Sequence, residues 1–339
     1  MDGEWSLKLA ITIDTEEDNW LPYSPSGYQT RNSRRIPQLQ ELFDEFGAKP
    51  TYLVTYQMAR CPVTSAILRS IHDRGACEIG THCHPWSQPP HEENPEIANS
   101  MLCNLPSSLQ ARKIRALHDI LQNEFGFSPK SFRSGRWGYS PAVAETLHEL
   151  RYAVDTSVLA HTDWTSCFGP DFSMVSPRPF RFDPPHIFQP AERGVLLEVP
   201  ASVEFLQRRS STCNAVFEGI RRSPLRHLRL LGLLDKLGIL NKVALTPELT
   251  SEDLMLRLIR SMKSKGYRLA TMWFHSSTLM PGLTPYVHSE EDARKFLGRI
   301  RSFLAFMQGE GVRTVTLSEA HQLLLTAAGD TGRAVDAEH

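Results

Sequence analysis

LKLAITIDTEED, residues 7–18, decides the reading of this chain. An apolar run of that length, rich in Ile and Leu, reads as a buried strand, and it stops on Asp14 with Glu16 two residues on. The same event recurs along the sequence. CEIGTH (77–82) delivers His82, followed by Cys83, His84, Pro85 and Trp86, and SFRSGRWG (131–138) delivers Arg133. YAVDTSV (152–158) delivers Asp155, LLEVP (196–200) closes on Pro200, and LATMWFH (269–275) ends on His275. A chain that repeatedly leaves a strand with a carboxylate, an imidazole or a guanidinium has the phase of a parallel β/α enzyme. There the site is built at the carboxyl ends of the strands.

The stretches between these strands carry helical spacing. Helices are expected over about 34–46, 63–74, 107–124, 141–150, 251–264, 290–307 and 318–327, with strands at TYLVT (51–55) and 312–317 among them. Such alternation predicts an α/β protein, a distorted (β/α) barrel of about seven strands rather than an open doubly wound sheet. The expected organisation is one catalytic domain over 1–327 and a disordered tail over 328–339.

The segment from about 160 to 250 breaks the rhythm and reads as an insert. Its first part, 160–194, is rich in Pro, Phe, Asp and Arg and reads as loop with a hairpin. Its later part, RRSPLRHLRLLGLLDKLGILNKVAL (221–245), spaces leucines helically beside basic residues. Two readings stand: a surface helix packing its leucines on the barrel, or an amphipathic helix making peripheral contact with a membrane or a lipid-linked substrate. Gly232 and Gly238 weaken the helix.

A net charge of −1 over 339 residues, with no basic stripe, gives no footprint for nucleic acid. Six cysteines lie far apart with no CxxC pair, and residues 1–14 have no basic, apolar and small-residue succession of an export signal. The expected location is cytoplasmic, at the inner membrane face if 221–245 engages lipid.

Asp14 and Glu16, two apart at a strand end, point the same way. One can bind a cation while the other takes a proton from water. His82 and His84 repeat that spacing, and two His plus a carboxylate form a common catalytic-zinc set that leaves a position open. His91, in the same loop, is an alternative second histidine, whereas Cys83 is turned away by the strand alternation.

The succession ITIDTEE, KPTYLVT, EIGTHCHPW, SFRSGRWGYS, YAVDTSV and MWFHSSTLMPG resembles the polysaccharide deacetylase family, carbohydrate esterase family 4 with its NodB-homology domain, over roughly residues 8–320. The resemblance implies a distorted barrel and metal-dependent removal of N-acetyl groups from amino sugars. It implies Asp14 as general base, His82 and His84 as metal histidines, Arg133 as the group orienting the base, and His275 as general acid. Family members commonly have two adjacent aspartates in the first motif, where Thr15 stands here, so a D-x-E pattern passes the metal role to Glu16. Their histidines are usually four apart, whereas here they are two apart with Trp86 at the fourth place. In the third motif, usually R-x-P-x, Ser134, Gly135 and Arg136 intrude.

The expected cofactor is a divalent metal, with zinc favoured by the donor set. Asp155 is expected to hold His275 or Arg133 in place. Arg136 offers a cation for a carboxylate or phosphate on the substrate, and Trp86 and Trp137 offer indoles for stacking a sugar. The expected partner is a carbohydrate or a lipid-linked saccharide. Two other readings remain: another amidohydrolase on the same scaffold, such as a deformylase or cyclic-ureide hydrolase, and a non-catalytic sugar-binding relative.

Overall fold

The computed structural model describes residues 6–18 and 23–325, without the side chains of 225 and 226. The tail expected over 328–339 and the end of the helix expected over 318–327 lie outside these residues.

Eleven strands form among the described residues: β1 (Lys8–Thr15), β2 (Thr51–Val54), β3 (Glu78–Cys83), β4 (Ser131–Ser134), β5 (Val154–Asp155), β6 (Phe180–Phe182), β7 (Leu196–Glu198), β8 (Val203–Phe205), β9 (Lys242–Ala244), β10 (Leu269–His275) and β11 (Arg313–Val315). Nine of them make one sheet in the order β10-β1-β2-β3-β4-β5-β7-β6, with β11 also pairing β1. All pairings are parallel except that of β6 with β7. β1 is buried along its length except at Lys8, as a strand covered on both faces should be.

The sheet curls until β10 approaches the chain that leaves β7. Ser202 N donates to Thr271 O at 3.1 Å, Thr271 N donates to Ser202 Oγ at 2.9 Å, and Trp273 N donates to Leu245 O at 3.2 Å. Closure by these few bonds, rather than by a ladder, makes the barrel a distorted one, as expected.

Helices cover the outside: Ile36–Glu45, Pro62–Asp73, Ser107–Phe125, Pro141–Glu149, Glu252–Ser264 and Glu290–Gly309. Their starts follow local chemistry. Ser289 Oγ accepts from Asp292 N while Asp292 accepts from Ser289 N, a capping box that begins the last of them.

The segment 160–250 divides in two. Its first half supplies β6 and β7 to the main sheet, while β8 and β9 pair separately as an antiparallel couple. Between β8 and β9 run a helix, Ser210–Arg222, and a short one, Leu230–Lys236. The leucines of 221–245 divide: Leu240 and Leu245 are buried, whereas the short helix buries none of its residues, and Leu228, Leu233, Leu237 and Ile239 are all exposed. No helix among the described residues is long and apolar enough to cross a membrane.

Candidate active site

Parallel register sets the site. Asp14 lies opposite His275, and His82 lies opposite Arg133. Asp14 is also level with Leu53 of β2, and Leu53 with Gly80 of β3, two residues before His82. Because side chains alternate along a strand, all four chemical groups point to one face, the barrel interior, at the carboxyl ends of their strands.

Glu16, His82 and His84 form a donor cluster whose ligand atoms lie within 4.8 Å of one another, all three residues buried. Glu16 Oε2 stands 3.3 Å from His84 Nε2 and 3.8 Å from His82 Nε2. The opposite ring nitrogens are engaged elsewhere. His82 Nδ1 donates to Arg133 O at 3.1 Å, and His84 Nδ1 is 3.3 Å from Glu17 Oε1. Glu16 Oε1 accepts from Ser277 Oγ at 3.1 Å. Both Nε2 lone pairs and one carboxylate oxygen therefore turn toward one point, the arrangement that holds a divalent cation. His91 is exposed, in a small pocket with Glu93 and Asn94, and Cys83 stays outside the cluster.

Glu17 is a member that strand-end reasoning misses. It is fully buried, accepts from Thr55 Oγ1 at 2.6 Å and fixes the His84 ring. Burial pushes its carboxyl up, but the His84 ring outweighs that and holds it at about 2. Burial likewise opposes charge on His84, and Glu17 overcomes it, raising the imidazole to about 9.

Gly135 explains the departure after Arg133. A Cβ there would lie 2.5 Å from His84 Cδ2 and 2.6 Å from Cys83 O, so only glycine lets the loop pass behind the histidine. Gly135→Ala is expected to move His84 and weaken metal affinity about 10–100-fold, as loss of supporting contacts around a metal does. Competition with a calibrated chelator reads this; unchanged affinity would remove the glycine from the site's support.

Asp14 is held by Arg133, whose Nη1 donates to Asp14 Oδ1 at 2.7 Å. Arg133 is itself buried, with further bonds to Thr12 Oγ1 (2.8 Å), Thr156 Oγ1 (3.1 Å) and Thr156 O (3.0 Å). Burial alone would raise the Asp14 carboxyl; the guanidinium and the two histidines bring it down to about 2. Oδ2 is left facing His82 Nε2 and His275 Nε2, each at 3.9 Å.

The partner of His275 is Glu248. Its two oxygens lie 3.1 and 3.0 Å from His275 Nδ1, and Oε1 also accepts from His275 N at 3.0 Å and Thr278 Oγ1 at 2.5 Å. Desolvation disfavours the imidazolium, but Glu248, Glu16 and Asp14 raise His275 to about 10. Asp155, expected in this supporting place, is elsewhere. It lies level with Phe132, one residue out of phase with Arg133, so the inward residue of that strand end is Thr156. Asp155 instead accepts from Ser157 N and Oγ at 3.2 and 2.7 Å. It sits beside Glu198, which burial drives well above the usual carboxyl range.

A cleft of about 600 Å³ opens over these groups. Trp86, Arg136 and Trp137 all line it. Trp86 stacks on His84, centroids 4.2 Å apart and planes at 22°, so it braces the donor cluster. Arg136 is pinned by Ser100 Oγ and by Ile97 O at 3.3 Å, over the Tyr23 ring. Trp137 meets Trp273 edge-to-face at 5.4 Å and lies over Arg133. Arg136 and Trp137 both adopt positive φ (53° and 62°), which non-glycine residues hold only where surroundings enforce it.

No protein-family model matches the sequence, and no curated protein matches it. Solved structures do match over nearly the whole chain. A candidate glycoside hydrolase/deacetylase from Parabacteroides distasonis aligns at TM-score 0.57 and 12% identity, over 95% of this chain and 71% of that one. A candidate polysaccharide deacetylase from Mycobacterium smegmatis aligns at TM-score 0.50 and 14% identity, over 94% and 95%. This is the NodB-type deacetylase fold. A 4-α-glucanotransferase from Thermococcus litoralis also aligns, at TM-score 0.52 and 15% identity, over 93% of this chain but 40% of that one. The fold therefore hosts more than one reaction, and the chemistry must be argued from the site.

Proposed function

We propose that the protein is a metal-dependent hydrolase that removes N-acetyl groups from an amino sugar in a glycan or glycan precursor. The observation that carries this is the pairing of an open two-histidine, one-carboxylate donor set with Asp14 and His275 on neighbouring strands beside it. Glu16, His82 and His84 would hold the cation, and their mixed nitrogen and oxygen donors favour zinc. A bound divalent cation supplies Lewis-acid polarisation of the amide carbonyl and acidifies water.

The chain's own groups perform the proton transfers. Asp14, kept ionised by Arg133, accepts a proton through Oδ2 as water oxygen bonds to the carbonyl carbon. His275, kept protonated by Glu248, donates from Nε2 to the amide nitrogen as the C–N bond breaks. Acetate and a free amine leave. The indoles around the cleft offer flat apolar faces to a sugar ring. The six cysteines are all free thiols, which fits a reducing compartment.

The test is acetate release from N-acetylated saccharides by protein of measured metal content, followed across pH. Asp14 must be deprotonated and His275 protonated, so activity should rise through an acid limb, hold a broad plateau and fall through an alkaline limb. Glu248→Gln removes the negative charge that raises His275, so the alkaline limb should move to lower pH with the acid limb in place. An alkaline limb that does not move would take Glu248 out of this positioning role. Absence of acetate release by metal-loaded protein would overturn the reading itself.

A further inference from the structure

The cleft is built for more than a neutral sugar. Its catalytic end is polar, but the wall contributed by the 160–250 segment is largely apolar: Trp164, Val203, Phe217, Ala244 and Leu249. Set in that wall is one cation, Lys242. It is half-buried, its Nζ lies 4.3 Å from the Phe217 ring and donates to His161 O, and it makes no ion pair among the described residues. A lysine withdrawn from water is normally paired with a carboxylate. Here the carboxylate acting on it, Glu218, is already paired with Arg221 and Arg222, and the lysine lines the cleft.

The same segment carries an apolar outer face. Leu228, Leu233, Leu237 and Ile239 are 72, 62, 57 and 54% exposed when ranked as Leu228, Leu237, Ile239 and Leu233. Leu249, also 62% exposed, belongs to the cleft wall. Residues 221–242 hold six Lys or Arg and a single acidic residue, Asp235. Arg221 and Arg222 are neutralised by Glu218, Asp163 and Asp171, but the excess beyond them is positive. Exposed leucines among basic residues match the chemistry of an anionic lipid surface: aliphatic side chains enter the headgroup boundary while cations meet the headgroups. The helix Ser210–Arg222 joins the two features, since Phe217 lines the cleft and the chain continues from its end into the leucine-rich stretch.

We infer that the substrate is an anionic amphiphile, a saccharide joined through a phosphate or carboxylate to an aliphatic chain, taken from an anionic lipid surface on which residues 228–239 sit. The sugar meets the metal end, Lys242 binds the anionic linkage, and the apolar wall holds the start of the chain. This rests on the deacetylase reading and specifies its substrate.

Four N-acetylated amino-sugar probes test it: the free sugar, a neutral alkyl glycoside, the alkyl phosphate of the same chain length, and an alkyl uronate that separates carboxylate from phosphate. Turnover should rise from free sugar to neutral amphiphile to anionic amphiphile. Lys242→Met should raise KM for the anionic probes about tenfold relative to that for the neutral glycoside, the scale of a lost charge-assisted bond. In flotation, the protein should rise with phosphatidylglycerol-containing vesicles and not with phosphatidylcholine alone. Leu233→Glu, and separately Leu237→Ser, should abolish flotation while sparing turnover of the dispersed probes, with thermal melts verifying the fold. Equal turnover of all probes without flotation overturns the inference and leaves the deacetylase reading standing. No turnover of any probe, with flotation intact, instead defeats the deacetylase reading. Self-association lost in Leu233→Glu, without vesicle binding, identifies a second copy as the occupant and also overturns it.

Discussion

Replacing Asp14 by Asn, or His275 by Ala, should lower turnover by about 10²–10⁴-fold while metal stoichiometry stays at the parent value. Neither residue belongs to the donor cluster of Glu16, His82 and His84, so loss of activity here is separable from loss of metal. Asn keeps an oxygen acceptor for the buried Arg133 guanidinium, which also bonds Thr12 and Thr156, so the fold should survive. The substitution removes only the carboxylate that takes up a proton. Ala at His275 removes the donor but leaves Glu248 buried beside Thr278. A companion His275→Gln therefore checks that any fall in turnover is not caused by an unpaired carboxylate. Near-parent turnover in either Asp14→Asn or His275→Gln would remove that residue from the proposed mechanism.

The second large effect concerns the metal. Single alanine substitutions at Glu16, His82 and His84 should each abolish tight metal binding, and with it acetate release, because three ligands are the minimum the cluster offers. His91→Ala should retain both, since that side chain stands exposed and outside the donor cluster. Metal analysis after dialysis reads the outcome. Full occupancy in His84→Ala together with loss in His91→Ala would reverse the assignment. Binding should also release protons, because the His84 imidazole is held at about 9 by Glu17 and must be neutral to act as a ligand. Affinity should accordingly rise with pH toward that value.

Much of this site is legible in sequence because strand geometry is local. A period of two places Asp14 with Glu16, and His82 with His84, on common faces before any tertiary contact is known. The same rule cannot tell which face turns inward at a short strand. Asp155 ends an apolar run just as Arg133 does, yet its two-residue strand is level with Phe132, and the adjacent Thr156 reaches the guanidinium instead. A shift of one residue reverses every side chain, and only the neighbouring strand sets that shift.

Alone, then, the sequence determined the alternating β/α plan, the strand ends that carry chemistry, and the residue types able to hold a cation and move protons. Those features follow from hydrophobic periodicity and side-chain alternation, which act within a few residues. Tertiary structure alone decided the supporting groups: Glu17 behind His84 across 67 positions, Glu248 behind His275 across 27, and Gly135 against the His84 ring. It also decided that Leu228, Leu233, Leu237 and Ile239 face solvent and that Lys242 stands in the cleft wall. Each depends on where a loop or helix packs after the barrel has curled, and packing between distant segments leaves no periodic trace in the chain.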